Sequence, residues 1–292
     1  MFDYRIETFL MAAKTLNFTT AAKLLHITQP AVSMHIHQLE KEYQTTFFEQ
    51  KGKQLYLTEN GKMLFQIASR MKNDDQHMRQ HFLKQETITE LNFGTTLTIS
   101  DYCISSSLKR LWKKYPHLHL RLIVGNTATL LDKINQGILD FAIVEGYFSK
   151  ELYDSIDFET QEYIPICHPQ HCFQREAGCL HDLADEPLLI REEGSGTREF
   201  LERILSFNEM TLQDFQIVGE IGSLNTIKQC VMADMGISFV YRPVAAKEIA
   251  AGKLRQIMIR EKFYHTFSCV WSKTSMFAKQ YQGIAQDLLK NE

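Results

Sequence analysis

Two stretches of the sequence carry side chains whose types and spacing could do chemistry. The first is Arg191-Glu192-Glu193-Gly194-Ser195-Gly196-Thr197-Arg198. It follows the apolar run Leu188-Leu189-Ile190 and leads into a helical pattern. Its glycine-rich backbone can turn amide groups toward a ligand at a helix N-terminus, where the dipole favours an anion. The hydroxyls of Ser195 and Thr197 would add two donors, and a helix cap without a ligand is the competing reading. A dinucleotide fingerprint fails at Glu199, which stands where a third glycine belongs. Further candidates sit at the ends of β-rich runs, where ligands collect in open αβ sheets. They are Ser100, Asp101 and Tyr102, then Asn126 and Thr127, then Glu145, and finally Ser223 with Asn225. Asp101 and Glu145 bring negative charge, so two ligand classes stay open. One is a small oxyanion on the Gly194, Ser195, Gly196 and Thr197 segment; the other is a zwitterion such as an amino acid, its amine near Glu145.

The second stretch is Cys167-His168-Pro169-Gln170-His171-Cys172, with Cys179 and His181 downstream. Soft-metal or zinc binding needs four converging ligands, and this spacing is not an established zinc pairing, so no metal is expected. A thiol sensor is a second possibility through Cys103, Cys167, Cys172 and Cys179, although most such cysteines are small apolar core residues. Catalysis has little support. The histidines are scattered without a partnered nucleophile, and Glu193-Gly194-Ser195-Gly196 lacks the spacing of a nucleophile elbow. The chain reads as a non-enzyme that needs no cofactor.

A different chemistry belongs to the N-terminal region. Tyr4 to Lys14 is an amphipathic helix with Ile6, Phe9, Leu10 and Ala13 inward. A second helix turns Ala21, Ala22, Leu24 and Leu25 to the core, with Ile27 closing the corner from inside. Thr28 is a good N-cap for a third helix, and Pro30 falls where a missing N–H costs nothing. Apolar positions then recur at Val32, Ile36 and Leu39. The opposite face carries Gln29, Ser33, Met34 and His37, side chains suited to reading base edges from the major groove, and Thr28 and Pro30 at the helix start belong to the same expected DNA-binding set. A hairpin follows around Lys51-Gly52, and Lys51 and Lys53 at its tip suit phosphate contacts. Residues 1–62 are close to neutral, so it is the helix pattern and not charge that points to DNA. From Thr58 a long polar helix carries Leu64, Ile67, Ala68, Met71, Met78 and Phe82, a seam that asks for a partner helix from a second subunit.

This order of elements resembles the LysR-type transcriptional regulators, in particular members that control sulfur assimilation, sulfite response or carbon fixation. Thr28-Gln29-Pro30-Ala31-Val32-Ser33 and Ile36 to Glu40 are similar to the family's recognition-helix core, and Leu57, Thr58 and Gly61 to the end of its wing. Tyr43-Gln44 stands where the family usually has a glycine, and Gln50 where it usually has an arginine, which removes one expected phosphate or minor-groove contact. The resemblance covers essentially the whole chain. It implies homodimers or homotetramers that bind paired half-sites in double-stranded promoter DNA, respond to a small-molecule effector and can contact RNA polymerase.

Those segments need elements to hold them. With 292 residues there is room for roughly two domains, and the 44% hydrophobic content is enough for a real core. No apolar run is long enough to span a membrane and the N-terminus lacks a basic signal region, so a cytoplasmic protein is expected. Beyond Leu91, short β-rich runs alternate with helical ones: 97–99, 118–124, 141–144, 164–166, 188–190, the run FQIVGEI, ISFVY, LRQIMI and TFSCVW. This predicts an α/β fold with parallel sheet and flanking helices. The expected organisation is a winged helix-turn-helix over 1–58, a linker and dimerisation helix over 59–89, and a two-lobed, type II periplasmic-binding-protein-like effector domain over 91–292. Lobe I would take about 91–162 and 266–292, and lobe II about 163–265.

Overall fold

The computed structural model describes residues 3–52, 54–82 and 90–289. Lys53 and residues 83–89 of the expected linker lie outside them. The chain forms two compact units. One runs through residue 87 and adds residues 132–139 and 275–277, and the other comprises the remainder.

The first unit begins with helices α1 (Tyr4–Thr15), α2 (Phe18–Leu25) and α3 (Gln29–Glu42). Strands β1 (Phe48–Lys51) and β2 (Gln54–Leu57) pair as an antiparallel hairpin, and α4 (Glu59–Phe82) follows. Each early helix has a side-chain cap: Asp3 accepts from the Arg5 amide, Asn17 from Thr20 and Thr28 from Ala31. The core is centred on Phe9, fully buried and edge-on to both Phe47 and Phe48. Burying one such ring stabilises the fold by about 2–3 kcal/mol. Two expectations for α2 do not hold. Leu24 is 56% exposed and Ile27 36% exposed, while the core-facing side of α2 is made by buried Ala21 and Ala22 with Phe18 packed beside them. The corner is instead made by His26, left-handed at φ 56°.

Thr58 caps α4, its hydroxyl accepting from the Gly61 amide at 3.0 Å. Gly61 permits close approach, since a Cβ there would stand 2.1 Å from the Phe47 carbonyl oxygen. The expected seam on α4 is two faces. Ala68 is buried and Leu64 packs against the head core, whereas Ile67, Met71 and Met78 are exposed. The Phe82 side chain lies outside the described residues.

In the second unit the described strands make one nine-stranded sheet in the order β4-β3-β5-β11-β6-β9-β7-β8, with β10 paired to β6. Strands β3 (Glu90–Thr95), β4 (His119–Val124) and β5 (Phe141–Val144) pair in parallel on one side. On the other side β7 (Pro187–Ile190) lies parallel to β8 (Gln216–Glu220) and β9 (Ile237–Tyr241). Two long strands, β6 (Tyr153–Cys167) and β11 (Phe263–Ser272), run antiparallel through the middle and join the two halves. The sheet is therefore mixed and not parallel throughout. Helices α5 (Leu97–Tyr102), α6 (Ser105–Lys114), α7 (Thr127–Asn135), α8 (Gly196–Phe207), α9 (Leu224–Met232), α10 (Arg242–Ala250) and α11 (Ala278–Leu289) flank it.

Two sequence-based strands change. Residues 97–99 are helical, because β3 already ends at Thr95, where it pairs with both Val124 and Ile143, and extended Thr96 then starts α5. Of LRQIMI only β10 (Arg255–Gln256) pairs, and Met258 is exposed. No helix of the described residues is long and apolar enough to cross a membrane.

Candidate functional site

On the head, α3 buries Val32, Ile36 and Leu39 and turns the other side outward. Thr28, Gln29, Pro30, Met34 and His37 are exposed and Ser33 is half-buried. The Gln29 side-chain amide donates to the Ser33 hydroxyl at 2.9 Å, which aligns two polar groups one turn apart. His35, beside them in sequence, faces α1 instead, its Nδ1 within 2.9 Å of the Thr8 hydroxyl. The outward face thus offers amide, hydroxyl, imidazole and thioether groups from one rigid helix. At the hairpin tip Lys51 is exposed and pairs with Glu49 at 2.8 Å, so its charge is partly neutralised within the wing.

Asn126, Thr127, Glu145 and the residues Gly194 to Thr197 collect where the two halves of the αβ unit meet. Glu145 follows β5 and is 2% exposed. Thr197, in the first turn of α8, donates to its Oε1 at 2.9 Å. Gly196 fits because it lacks a side chain: a Cβ there would stand 2.6 Å from the Gly146 nitrogen and 2.8 Å from Glu145 Cγ. The N-terminus of α8 is therefore docked on the Glu145-Gly146 segment, and an internal carboxylate occupies the place expected for an external anion. Burial pushes the Glu145 carboxyl up, opposed by the Thr98 and Thr197 hydroxyls and by the Arg191 charge. Thr127 accepts from the Gly146 amide at 3.1 Å, and Asn126 caps α7 by accepting from Thr129 at 2.9 Å. Gly194 lies against the Asn126 side-chain amide. Ser195 is buried, and its hydroxyl has no hydrogen-bond partner among the described residues.

The remaining expected members stand differently. Ser100, Asp101 and Tyr102 are on helix α5 and not on a strand-end loop, and Asp101 is exposed. Tyr102 lies instead under the Lys228 ammonium, 5.2 Å from the ring centre, and that ammonium is 2.6 Å from Glu248. Ser223 caps α9 through the Thr226 amide, with Asn225 exposed beside it.

Sequence reasoning missed Thr95, Thr96 and Thr98, all buried at the end of β3 and the start of α5. Three threonines within four residues after an apolar strand was the available signal. It also missed an aromatic stack that braces the junction. His265 on β11 stacks on Phe200 at 4.3 Å and on Tyr147 at 5.3 Å, and its Nδ1 meets the Tyr241 hydroxyl at 2.8 Å. Arg203 covers Tyr147 at 3.4 Å. Burial, aided by the Arg203 charge, pushes His265 down to about 4.

In the cysteine-rich stretch Cys167 is buried, Cys179 half-buried and Cys172 exposed. Burial pushes the Cys103 thiol up to about 12 and the Cys167 thiol up to about 11, and raises Cys269 as well. His171 has both ring nitrogens against carboxylates, Asp234 at 2.5 Å and Glu186 at 3.1 Å.

Residues 84–282 match the LysR substrate binding domain, and residues 4–62 match the bacterial regulatory helix-turn-helix protein of the lysR family. The chain belongs to the LysR family. It is 31% identical over 174 residues to the HTH-type transcriptional regulator CysL of Bacillus subtilis, covering 59% of this chain and 56% of that protein. It is 34% identical over 167 residues to CbbR of Xanthobacter flavus, covering 56% and 49%. The chain thus spans about half the length of the curated relatives it matches. Among solved structures, a full-length OxyR variant from Pseudomonas aeruginosa superimposes with a TM-score of 0.77 at 20% identity, covering 99% of this chain and 94% of that one.

Proposed function

We propose that this chain is a DNA-binding transcriptional regulator, working in the bacterial cytoplasm, whose αβ unit responds to a small metabolite. The observation that carries this reading is α3. A helix that buries one apolar stripe and leaves Gln29, Ser33, Met34 and His37 facing out from a winged head has the chemistry of major-groove readout. Amide and hydroxyl groups pair with base edges and the Met34 thioether suits a thymine methyl, while Lys51, and Lys53 by its sequence, would position the head on phosphates. Paired half-sites require two heads. The exposed apolar residues of α4 supply a surface for a second copy, as a homodimer or within a homotetramer. RNA polymerase is a further partner of such regulators.

The effector site in this reading is the junction around Glu145, Ser195, Gly196 and Thr197, with Asn126, Thr127 and Gly194 at its edge. Ser100, Asp101 and Tyr102 on α5, with Ser223 and Asn225 at the start of α9, stand outside this set: Tyr102 lies under Lys228 and Ser223 caps α9. A ligand that favours one arrangement of the lobes over another would change how the heads are presented, and only such a difference in affinity can do so. A thiol-responsive mechanism is disfavoured where burial holds thiols protonated, as at Cys103 and Cys167.

A gel shift with the DNA upstream of its own operon tests the reading. Gln29→Ala and Ser33→Ala are expected each to lower specific binding by about 1–3 kcal/mol while leaving non-specific binding intact. Equal retention of the upstream fragment and of unrelated DNA by the unaltered protein would refute it.

A further inference from the structure

The junction of the two lobes contains opposite charges that the described residues leave incomplete. Glu145 has one oxygen held by Thr197, and the Thr98 hydroxyl stands close enough to favour the ionised form. No described group completes a hydrogen bond to its Oε2. Arg191, at the end of β7, is 6% exposed. Glu192 takes its Nε at 2.7 Å and its Nη2 at 2.9 Å, leaving Nη1 buried and without a partner among the described residues. The Ser195 and Thr96 hydroxyls are buried and unpartnered in the same way. Arg191 lies close enough for its charge to favour the ionised form of Glu145.

Buried polar groups without partners cost about 1–3 kcal/mol each, and charged ones more. Such groups gathered at one junction therefore define what would complete them. A simple oxyanion would satisfy Arg191 but would meet the Glu145 carboxylate already docked at α8. A simple amine would satisfy Glu145 and leave the guanidinium nitrogen empty. A molecule with both charges on a short frame satisfies both.

We propose that this junction binds a small zwitterion of the α-amino acid class, its ammonium on Glu145 Oε2 and its carboxylate on Arg191 Nη1 and the Ser195 hydroxyl. The inference rests on reading the junction as the effector site. Gly196 lies directly against Gly146, so the ligand enters when the lobes part and is enclosed when they close.

Calorimetric titration of the full chain with each standard L-amino acid, and with sulfate and phosphate as anion probes, tests this. At least one amino acid is expected to bind. Its methyl ester and its N-acetyl derivative, each lacking one charge, are expected to bind at least about ten-fold more weakly. Glu145→Gln should weaken the amino acid to a similar degree without altering circular dichroism. The ligand analogues keep the test decisive if that variant misfolds. Binding of sulfate or phosphate with no amino acid bound would overturn the zwitterion class while leaving the junction a ligand site. Amino-acid binding unaffected by esterification, N-acetylation and Glu145→Gln would overturn the placement, and so would silence from every probe. Failure of the wider regulatory reading would appear elsewhere, as loss of selective DNA retention in the gel shift.

Discussion

At the scale of single residues, departures from an expected pattern have physical costs that can be measured. Gln44 sits just after α3 with φ 52°, in the left-handed region, at the point where the resemblance leads one to expect glycine. A residue with a Cβ is strained there and glycine is not, although glycine loses more entropy on folding. Gln44→Gly should therefore raise stability by about 0.5–1 kcal/mol, read as a higher midpoint of denaturant unfolding. His265 offers a pH test. Its ordinary value is 6.5 and the fold holds it down to about 4, so the unfolded chain binds the extra proton first on acidification. Stability attributable to His265 is complete above about pH 6.5 and is lost as the pH falls through about 4. Melting curves across that window should slope downward toward acid. His265→Phe, which keeps the ring stack but cannot titrate, should flatten the slope; an unchanged slope would exclude the histidine as its source. Residue types alone marked Glu145, Ser195 and Thr197 as candidates because glycine-rich turns and strand ends stand out in a sequence. They did not mark Arg191 as a half-paired buried cation, because an arginine followed by two glutamates reads as solvated surface.

At the scale of elements, periodicity identified the helices of the head because each buries one stripe on a small core and is capped by Asp3, Asn17 or Thr28. Where one short segment could satisfy two periodicities, tertiary pairing decided. Leu97-Thr98-Ile99 alternates like a strand, yet the sheet ends at Thr95 and the segment coils. Helix α10 went unread because Pro243 near its start and a short run of alanines gave no apolar stripe to follow. On α4 the spacing of three and four was correct, but it merged two surfaces. Leu64 packs on the head and Ala68 is buried, whereas Met63, Ile67 and Met71 recur every four residues and are 60%, 52% and 57% exposed. Rows of apolar side chains on one helix face seldom stay wet, and a second copy would cover them. Ile67→Glu with Met71→Glu should shift the protein toward monomer in sedimentation velocity without changing its helix content. Persistence of the same oligomer would assign the association to another surface.

For the whole αβ unit, the decisive geometry is the approach of α8 to the segment after β5. Three contacts from one helix cross the junction there: Gly196 against Gly146, Thr197 to Glu145 at 2.9 Å, and Glu199 accepting from the Tyr147 amide at 3.3 Å. Such a contact tolerates almost no added volume. Gly196→Ala would put a methyl group 2.6 Å from the Gly146 nitrogen, and because that atom is backbone it cannot swing aside. The lobes must then separate, while the residues of the winged head keep their own packing around Phe9. Hydrogen exchange in peptides covering 145–147 and 194–198 is therefore expected to rise at least about ten-fold in the variant, equivalent to about 1.4 kcal/mol of closure. Exchange in α1–α3 should stay as in the parent protein. If DNA retention is also preserved while any ligand response is lost, the junction governs the response and not the stability of the head. Equal protection in parent and variant would mean that the lobes absorb the methyl group by local adjustment and that this contact does not gate the cleft.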